Sequence, residues 1–366
     1  SCYCRKMTYI IIKTIVLFYM FLFNAYNRIP YGKLIIGGIC VFFMTLLPAF
    51  QYGVGTDYFS YQNIYNNANE LDTFYQNKEY LFYGYMRLYQ LTGWGFKGFI
   101  ALTALLQSLL VFVIVFQLWK NYGYSLVLVF FLFWVVTNLF HTQMNIIRAS
   151  FSIYLFAISI LYKFRGKLLL SFILMVAALG FHRSALIGFC FLVIPDKMYF
   201  FACKHAFKIY VLTFLLFLFS YLQQIIYYIV QNLFPYYSHY LSSFDESSVS
   251  IMNVLTKMYW IPFNLLFLIL LRLKVFVIKD NERKLIGMWA LTVNVYLLML
   301  SFDFISRVNY YFVIFYIIPI IYVIKYTVKN RYFVCLYLSL LYCFIPYLLK
   351  VILFPIAEFY YKSYLF

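Results

Sequence analysis

Long apolar runs separated by short polar breaks organise this chain from end to end. The runs fall at about 9–23, 34–50, 98–118, 124–140, 146–162, 168–181, 184–194, 209–230, 258–271, 285–302, 308–324 and 332–349. A helix of about 18 apolar residues or more is long enough to cross the ~30 Å hydrocarbon layer of a bilayer. The pattern therefore predicts an all-α, polytopic integral membrane protein with about 11–12 membrane-embedded helices. One stretch breaks the length rule. Between Lys167 and Asp196 the polar pair His182–Arg183 divides two apolar pieces of about 14 residues, each reaching roughly 21 Å. Either this pair lies at the floor of a cavity or the segment is re-entrant, and an intramembrane His–Arg pair is a functional candidate. The alternative is that both side chains snorkel to the interface.

No fixed-period repeat and no Pro-, Gly- or Ser-rich linker interrupts the series, so residues 1–366 read as one transmembrane domain. Two polar segments stand out: an amphipathic one at 51–97 and a Tyr/Ser-rich loop at 231–257. The first apolar run has no small-residue cleavage site after it and reads as a retained span.

Composition agrees: 66% of residues are apolar and 11% charged, far from the balance of a soluble domain. The formal charge of +18 would suggest nucleic acid in a soluble chain. Here most of the Lys and Arg lie in alternate connections: 24–33, around Lys120, 163–167, 195–208, 272–284 and 325–331. That alternation places those connections in the cytoplasm and most carboxylates outside, and nucleic acid is not an expected partner. Arg5, Lys6 and Lys13 beside the first span argue mildly the other way. The cysteines and the four histidines have no metal-ligand spacing, and neither a metal nor another cofactor is expected.

Candidate chemistry concentrates in the outward breaks. Gly53-Val54-Gly55-Thr56-Asp57 offers a tight turn, after which Thr56 or Asp57 can cap a helix over 58–70. Tyr58, Tyr61 and Tyr65 would share one face of it, as a platform for sugar rings or for headgroups. Asp57 reads equally as a cap or as a ligand or catalytic group. Glu79, Tyr85 and Arg87 lie in an amphipathic piece leading to Gly93-Trp94-Gly95, which on spacing alone is foremost an interfacial helix. Arg148 sits about a turn inside an apolar run with His141 and Asn145 nearby and no carboxylate close in sequence, so a bound anion is its expected partner. Arg307 has Asp303 four residues earlier as a local partner. Arg148, Arg183 and Arg307, if they converge, would neutralise a diphosphate. His239 and Asp245-Glu246 sit in the 231–257 loop, a candidate lid. Phosphate-gripping glycine loops, G-x-S-x-G and zinc-protease patterns are absent from the sequence.

Gly55-Thr56-Asp57-Tyr58 with Tyr61, the Arg148 segment entering a span, Phe181-His182-x-Ser184-Ala185-Leu186, and Arg307 with Tyr310-Tyr311-Phe312 together resemble the EpsG family of Wzy-like polysaccharide polymerases. The resemblance implies a membrane glycosyltransferase of GT-C-like architecture in the bacterial cytoplasmic membrane, with its site facing outward. It would polymerise oligosaccharide repeat units linked to undecaprenyl diphosphate into O-antigen, capsule or exopolysaccharide. Its expected partners are the lipid-linked donor and acceptor, membrane lipids, and a chain-length regulator and flippase of the same pathway. In that setting Asp57 or His182 serves as base, and Arg148, Arg183 and Arg307 bind the diphosphate. Tyr58, Tyr61, Glu79 and Tyr85 bind or orient sugars. The rival readings are a flippase or transporter of the same lipid-linked sugars, a membrane O-acyltransferase, and a non-catalytic assembly subunit.

Overall fold

The computed structural model describes residues 2–25, 31–218, 228, 231–232, 259–298, 308–353, 355 and 357–364. The fold is all-α: among the described residues the only extended pairing is an isolated bridge between Gln51 and Ser363. Six helices there are long and apolar enough to cross a membrane, and a seventh span is formed if Leu126–Val135 and Leu139–Asn145, bent by 52°, count as one. The loop expected at 231–257 lies outside the described residues apart from Gln231 and Asn232.

The chain divides into two compact units, Ser1–Phe189 with Leu338–Phe366, and Cys190–Tyr337. The first opens with α1 (Cys2–Ala25) and α2 (Gly32–Ala49), followed by three short helices, α3 (Tyr58–Asn66), α4 (Ala68–Gln76) and α5 (Tyr80–Gln90). The long α6 (Gly95–Tyr122), the bent pair α7 (Leu126–Val135) and α8 (Leu139–Asn145), α9 (Ile147–Phe164) and α10 (Leu168–Phe181) follow. A 3-10 turn at Arg183–Ala185 leads into α11 (Leu186–Val193). The short expected pair with its break at His182–Arg183 is thus present as α10 and α11.

Helix α9 is largely buried, and its small polar residues explain how it packs in an apolar setting. Ser152 Oγ donates to the Ala178 carbonyl (2.9 Å), and Ser159 and Ser171 exchange bonds with each other's carbonyls (2.7 Å each), stitching α9 to α10. From α6, Gln107 Nε2 donates to Ser150 Oγ (2.7 Å), fixing the first turn of α9. Lys13, read from sequence as a flanking charge, lies buried inside α1. Its Nζ is 3.1 Å from His141 Nε2 and 3.7 Å from the centroid of the Phe140 ring. His141 also meets the Tyr347 hydroxyl at 2.9 Å.

In the second unit, α12 (Asp196–Leu218) begins well before the run expected at 209–230. The expected basic connection 195–208 is the first half of this helix. Asp196 follows Pro195 as a favourable first-turn acid, and Tyr199, Ala202, Cys203, Ala206 and Tyr210 recur at three- and four-residue intervals as one buried face. That face packs on α14 (Asp280–Leu298), which follows α13 (Ile261–Arg272). Asp196 pairs with Lys284 at 2.6 Å. The run expected at 308–324 becomes a 3-10 turn, Val313–Tyr316, and α15 (Ile317–Lys329), before α16 (Phe333–Leu348) returns to the first unit. A Cβ added at Gly287 would lie 2.1 Å from the Tyr199 carbonyl oxygen, so α12 and α14 touch through backbone. Gly287→Ala should therefore cost about 1–3 kcal/mol, read as a lowered Tm in detergent. Gly38→Ala, inside α2 with nothing within 4 Å, should hold Tm or raise it slightly.

Candidate active site

Glu79 is the centre of the site, and the local fold explains how it gets there. Helix α4 closes with the Lys78 N–H on the Tyr75 carbonyl (3.0 Å) and the Glu79 N–H on the Phe74 carbonyl (2.9 Å). This is a Schellman closure with Lys78 in the left-handed region (φ 65°). It delivers Glu79 to the position immediately before α5. The side chain does not cap α5 but points inward, 3% exposed.

An arginine, a histidine and a backbone amide meet that carboxylate. Arg148 Nη1 donates to Oε2 at 2.5 Å. His182 Nδ1 donates to Oε1 at 2.6 Å, and the Arg183 backbone N–H donates to the same oxygen at 3.1 Å. An ionised carboxylate only accepts, so Nδ1 carries the proton in this contact and Nε2 is the nitrogen available as a base when the ring is neutral. Arg148 occupies the first turn of α9, where a helix N-terminus disfavours a cation, and Glu79 offsets that penalty. The Phe74 ring lies under the guanidinium at 4.8 Å. Arg148 and His182 remain 28% and 24% exposed while Glu79 is sealed beneath them. Burial raises the Glu79 carboxyl, but the His182 hydrogen bond, the Arg148 and His182 charges and the Arg183 amide together outweigh it. The net value lies below the ordinary 4.5.

The glycine turn is clasped to the same place. Asn145, at the break between α8 and α9, accepts through Oδ1 from the backbone N–H of Thr56 (2.9 Å) and of Asp57 (3.0 Å). Thr56 Oγ1 donates to Asp57 Oδ1 at 3.0 Å. Gly55 has φ +79°, and a Cβ there would stand 2.5 Å from Asn145 Oδ1, so both backbone and space demand glycine. Asp57 precedes α3 as expected, without a side-chain cap bond. Behind it the buried Tyr61 hydroxyl makes a hydrogen bond with the Arg148 backbone. Burial pushes that phenol up to about 12 against the pull of the Arg148 charge. The C-terminal segment backs the turn: Tyr52 N–H donates to the Lys362 carbonyl (3.0 Å), Tyr364 N–H to the Phe50 carbonyl (3.1 Å), and the Tyr58 and Tyr364 hydroxyls pair.

Asp57, Tyr61, Glu79, Arg148, His182 and the Arg183 backbone thus converge from distant parts of the sequence. Tyr58 is fully buried, and Tyr85 packs on Phe99 and Phe151 while its hydroxyl meets Thr103 Oγ1 at 2.8 Å. Both rings belong to the aromatic cluster beneath the site and present no open platform. Arg307 lies outside the described residues. The expected anionic partner of Arg148 turns out to be a protein carboxylate, Glu79, 69 residues away in sequence. Asn145 and Phe74 carry no motif that would have marked them, although Asn145 stands three residues before Arg148. Among the described residues no group of three or more His, Cys, Asp or Glu side chains could hold a metal ion.

A polytopic α-helical membrane protein with a buried carboxylate bridging an arginine and a histidine is the class that fold and site define. The EpsG family profile matches residues 34–366, nearly the whole chain, and the protein belongs to that family. Membership implies a polysaccharide polymerase-like role and, at the same coarse level, a glycosyltransferase class of activity. Comparison with curated proteins and with solved structures gives no match.

Two outcomes follow from this geometry. Gly55→Ala should release the turn from Asn145 and cost roughly 1–3 kcal/mol, seen as a lower Tm. For Glu79, the folded value lies below the unfolded one, so its stabilisation is complete above the ordinary 4.5 and is lost as pH falls through the folded value. Acidification from about pH 5.5 to about 3.5 should lower Tm more steeply in the native protein than in Glu79→Gln.

Proposed function

We propose that this protein joins oligosaccharide repeat units, carried on undecaprenyl diphosphate, into a surface polysaccharide at the outer face of the bacterial cytoplasmic membrane. The observation that carries this reading is the buried Glu79 carboxylate held between Arg148 and His182, both of which remain partly open to solvent. A sugar diphosphate already has a good leaving group, so catalysis needs positioning, a base for the acceptor and positive charge for the departing oxygens.

His182, oriented by Glu79 through Nδ1, takes the proton of the acceptor hydroxyl on Nε2. The acceptor oxygen bonds to the anomeric carbon of the donor, and the bond from that carbon to the phosphate oxygen breaks. Its electron pair leaves on the diphosphate, whose charge is met by Arg148 and Arg183. Glu79 stabilises the imidazolium, as the carboxylate of a catalytic dyad does. Asp57, fixed by Asn145, orients the sugar hydroxyls. A single displacement of this kind inverts the anomeric centre.

Arg148→Ala should slow polymerisation about 30- to 1,000-fold, the equivalent of losing ~2–4 kcal/mol of transition-state stabilisation. His182→Ala should fall in the same range, and Glu79→Gln should shift the pH profile as well as the rate. The assay is complementation of a deletion strain, with polymer length read on a gel and membrane levels matched. A deletion strain that displays single repeat units supports a polymerase. One with no units outside indicates a flippase, and polymer of normal length an acyltransferase. A wild-type ladder from Arg148→Ala would falsify the arginine's assignment.

A further inference from the structure

Helix α5 sorts its residues into three sectors under the 3.6-residue period. Phe82, Met86 and Tyr89 face the buried aromatic cluster. Leu81 and Leu88 form an exposed aliphatic edge, and Leu91 and Trp94 are exposed just past the end of the helix. The third sector carries Tyr80, Tyr83, Arg87 and Gln90, and it is joined by Tyr75 and Asp72 from α4. Tyr75 and Tyr80 are 57% and 51% exposed. The Tyr75 ring centroid lies 5.1 Å from that of Tyr80 and 5.4 Å from that of Tyr83. Beside them Arg87 Nη2 is 3.5 Å from Asp72 Oδ1, with both side chains well exposed. Arg87 Nε reaches the Tyr83 hydroxyl at 3.4 Å.

We propose that Tyr75, Tyr80 and Tyr83, with the Asp72–Arg87 pair, form a binding platform for the growing glycan chain next to the reaction site. Pyranose rings offer C–H faces that stack on aromatic rings and in-plane hydroxyls that both donate and accept. An open carboxylate–guanidinium pair beside tyrosines answers both needs. Headgroup anchoring is the competing use of tyrosine, and the helix separates the two. Leu81 and Leu88, the aliphatic side chains suited to lipid, lie about 80–160° around α5 from Tyr80 and Tyr83, while Leu91, just past the end of the helix, falls beside Tyr80. The platform is also continuous with the reaction site, because Glu79 sits in the α4–α5 turn directly before Tyr80. The rings assigned to sugar from sequence, Tyr58 and Tyr85, are committed to the core. The exposed Tyr75 and Tyr80, with the half-buried Tyr83 beside them, take that role.

This inference rests on the polymerase reading, and one experiment separates the two. A deletion strain is complemented with the native gene, with Tyr75→Leu/Tyr80→Leu, or with Tyr75→Trp/Tyr80→Trp. Modal polymer length is measured at matched membrane levels. The leucine pair keeps apolar bulk and removes the ring faces, and the tryptophan pair keeps the faces. The expected result is a modal length at least halved by the leucine pair, with first linkages still formed, and preserved by the tryptophan pair. In parallel, polysaccharide released from the same cells is the probe for binding to the protein in phosphatidylethanolamine/phosphatidylglycerol nanodiscs. Binding should weaken roughly two- to tenfold for each ring removed. A native length from the leucine pair, or no binding of the probe to the native protein, overturns the platform alone. A deletion strain with unaltered polymer overturns both it and the polymerase reading.

Discussion

Everything in the first unit's site depends on keeping one carboxylate charged where water is nearly excluded. Desolvation of Glu79 is the largest single influence on it and is unfavourable. Only the combination of His182, Arg148 and the Arg183 amide reverses the balance. Such a buried ion cluster contributes less to net stability than its short distances suggest, because each partner loses hydration too. Its stronger effect is on specificity of arrangement. It ties the α4–α5 turn to the first turn of α9 and to the break after α10, three segments that share no local sequence relation. Removing one member leaves charge without its counterpart, which is why the three positions act as a unit.

The aromatic and small-residue packing sets the stage for that cluster. Tyr58, Tyr61 and Tyr65 pack with Phe82, Met86, Tyr89, Phe96 and Phe99 beneath α3–α5, so these short helices rest on rings more than on their own backbone bonds. Glycine does the complementary work where backbones must approach. A Cβ at Gly180 would stand 2.7 Å from the Leu81 side chain, so the end of α10 can lie close to α5 and bring His182 to Glu79.

The parts of this design that were legible in sequence are the ones with local signatures. Apolar run length gave the membrane class. The polar pair His182–Arg183 in too short a stretch marked the α10–α11 break, and the glycine pair before Thr56-Asp57 marked the turn. The illegible parts have causes as specific. The Arg148–Glu79 pair spans 69 residues, and nothing in the charge pattern near Arg148 reports it. The turn that aims Glu79 uses Lys78, not glycine, in the left-handed region, so the usual composition cue is missing. The early start of α12 was hidden because Lys197, Lys204 and Lys208 interrupt a helix whose buried face is read from periodicity, not from net hydropathy. Tyr58, Tyr61 and Tyr65 do share one face of α3, but composition counts rings, and only the packed helix decides which faces stay open.

The buried lysine of α1 bears on how the protein is made. A lysine at the centre of an inserting helix costs ~2.5–3.5 kcal/mol. The imidazole that Lys13 meets is 128 residues downstream. During synthesis α1 must therefore wait in the bilayer or at the translocon with an unmatched ammonium until α8 emerges. The apolar length of α1 outweighs that cost, but the partner of its lysine comes only with tertiary assembly of elements made much later.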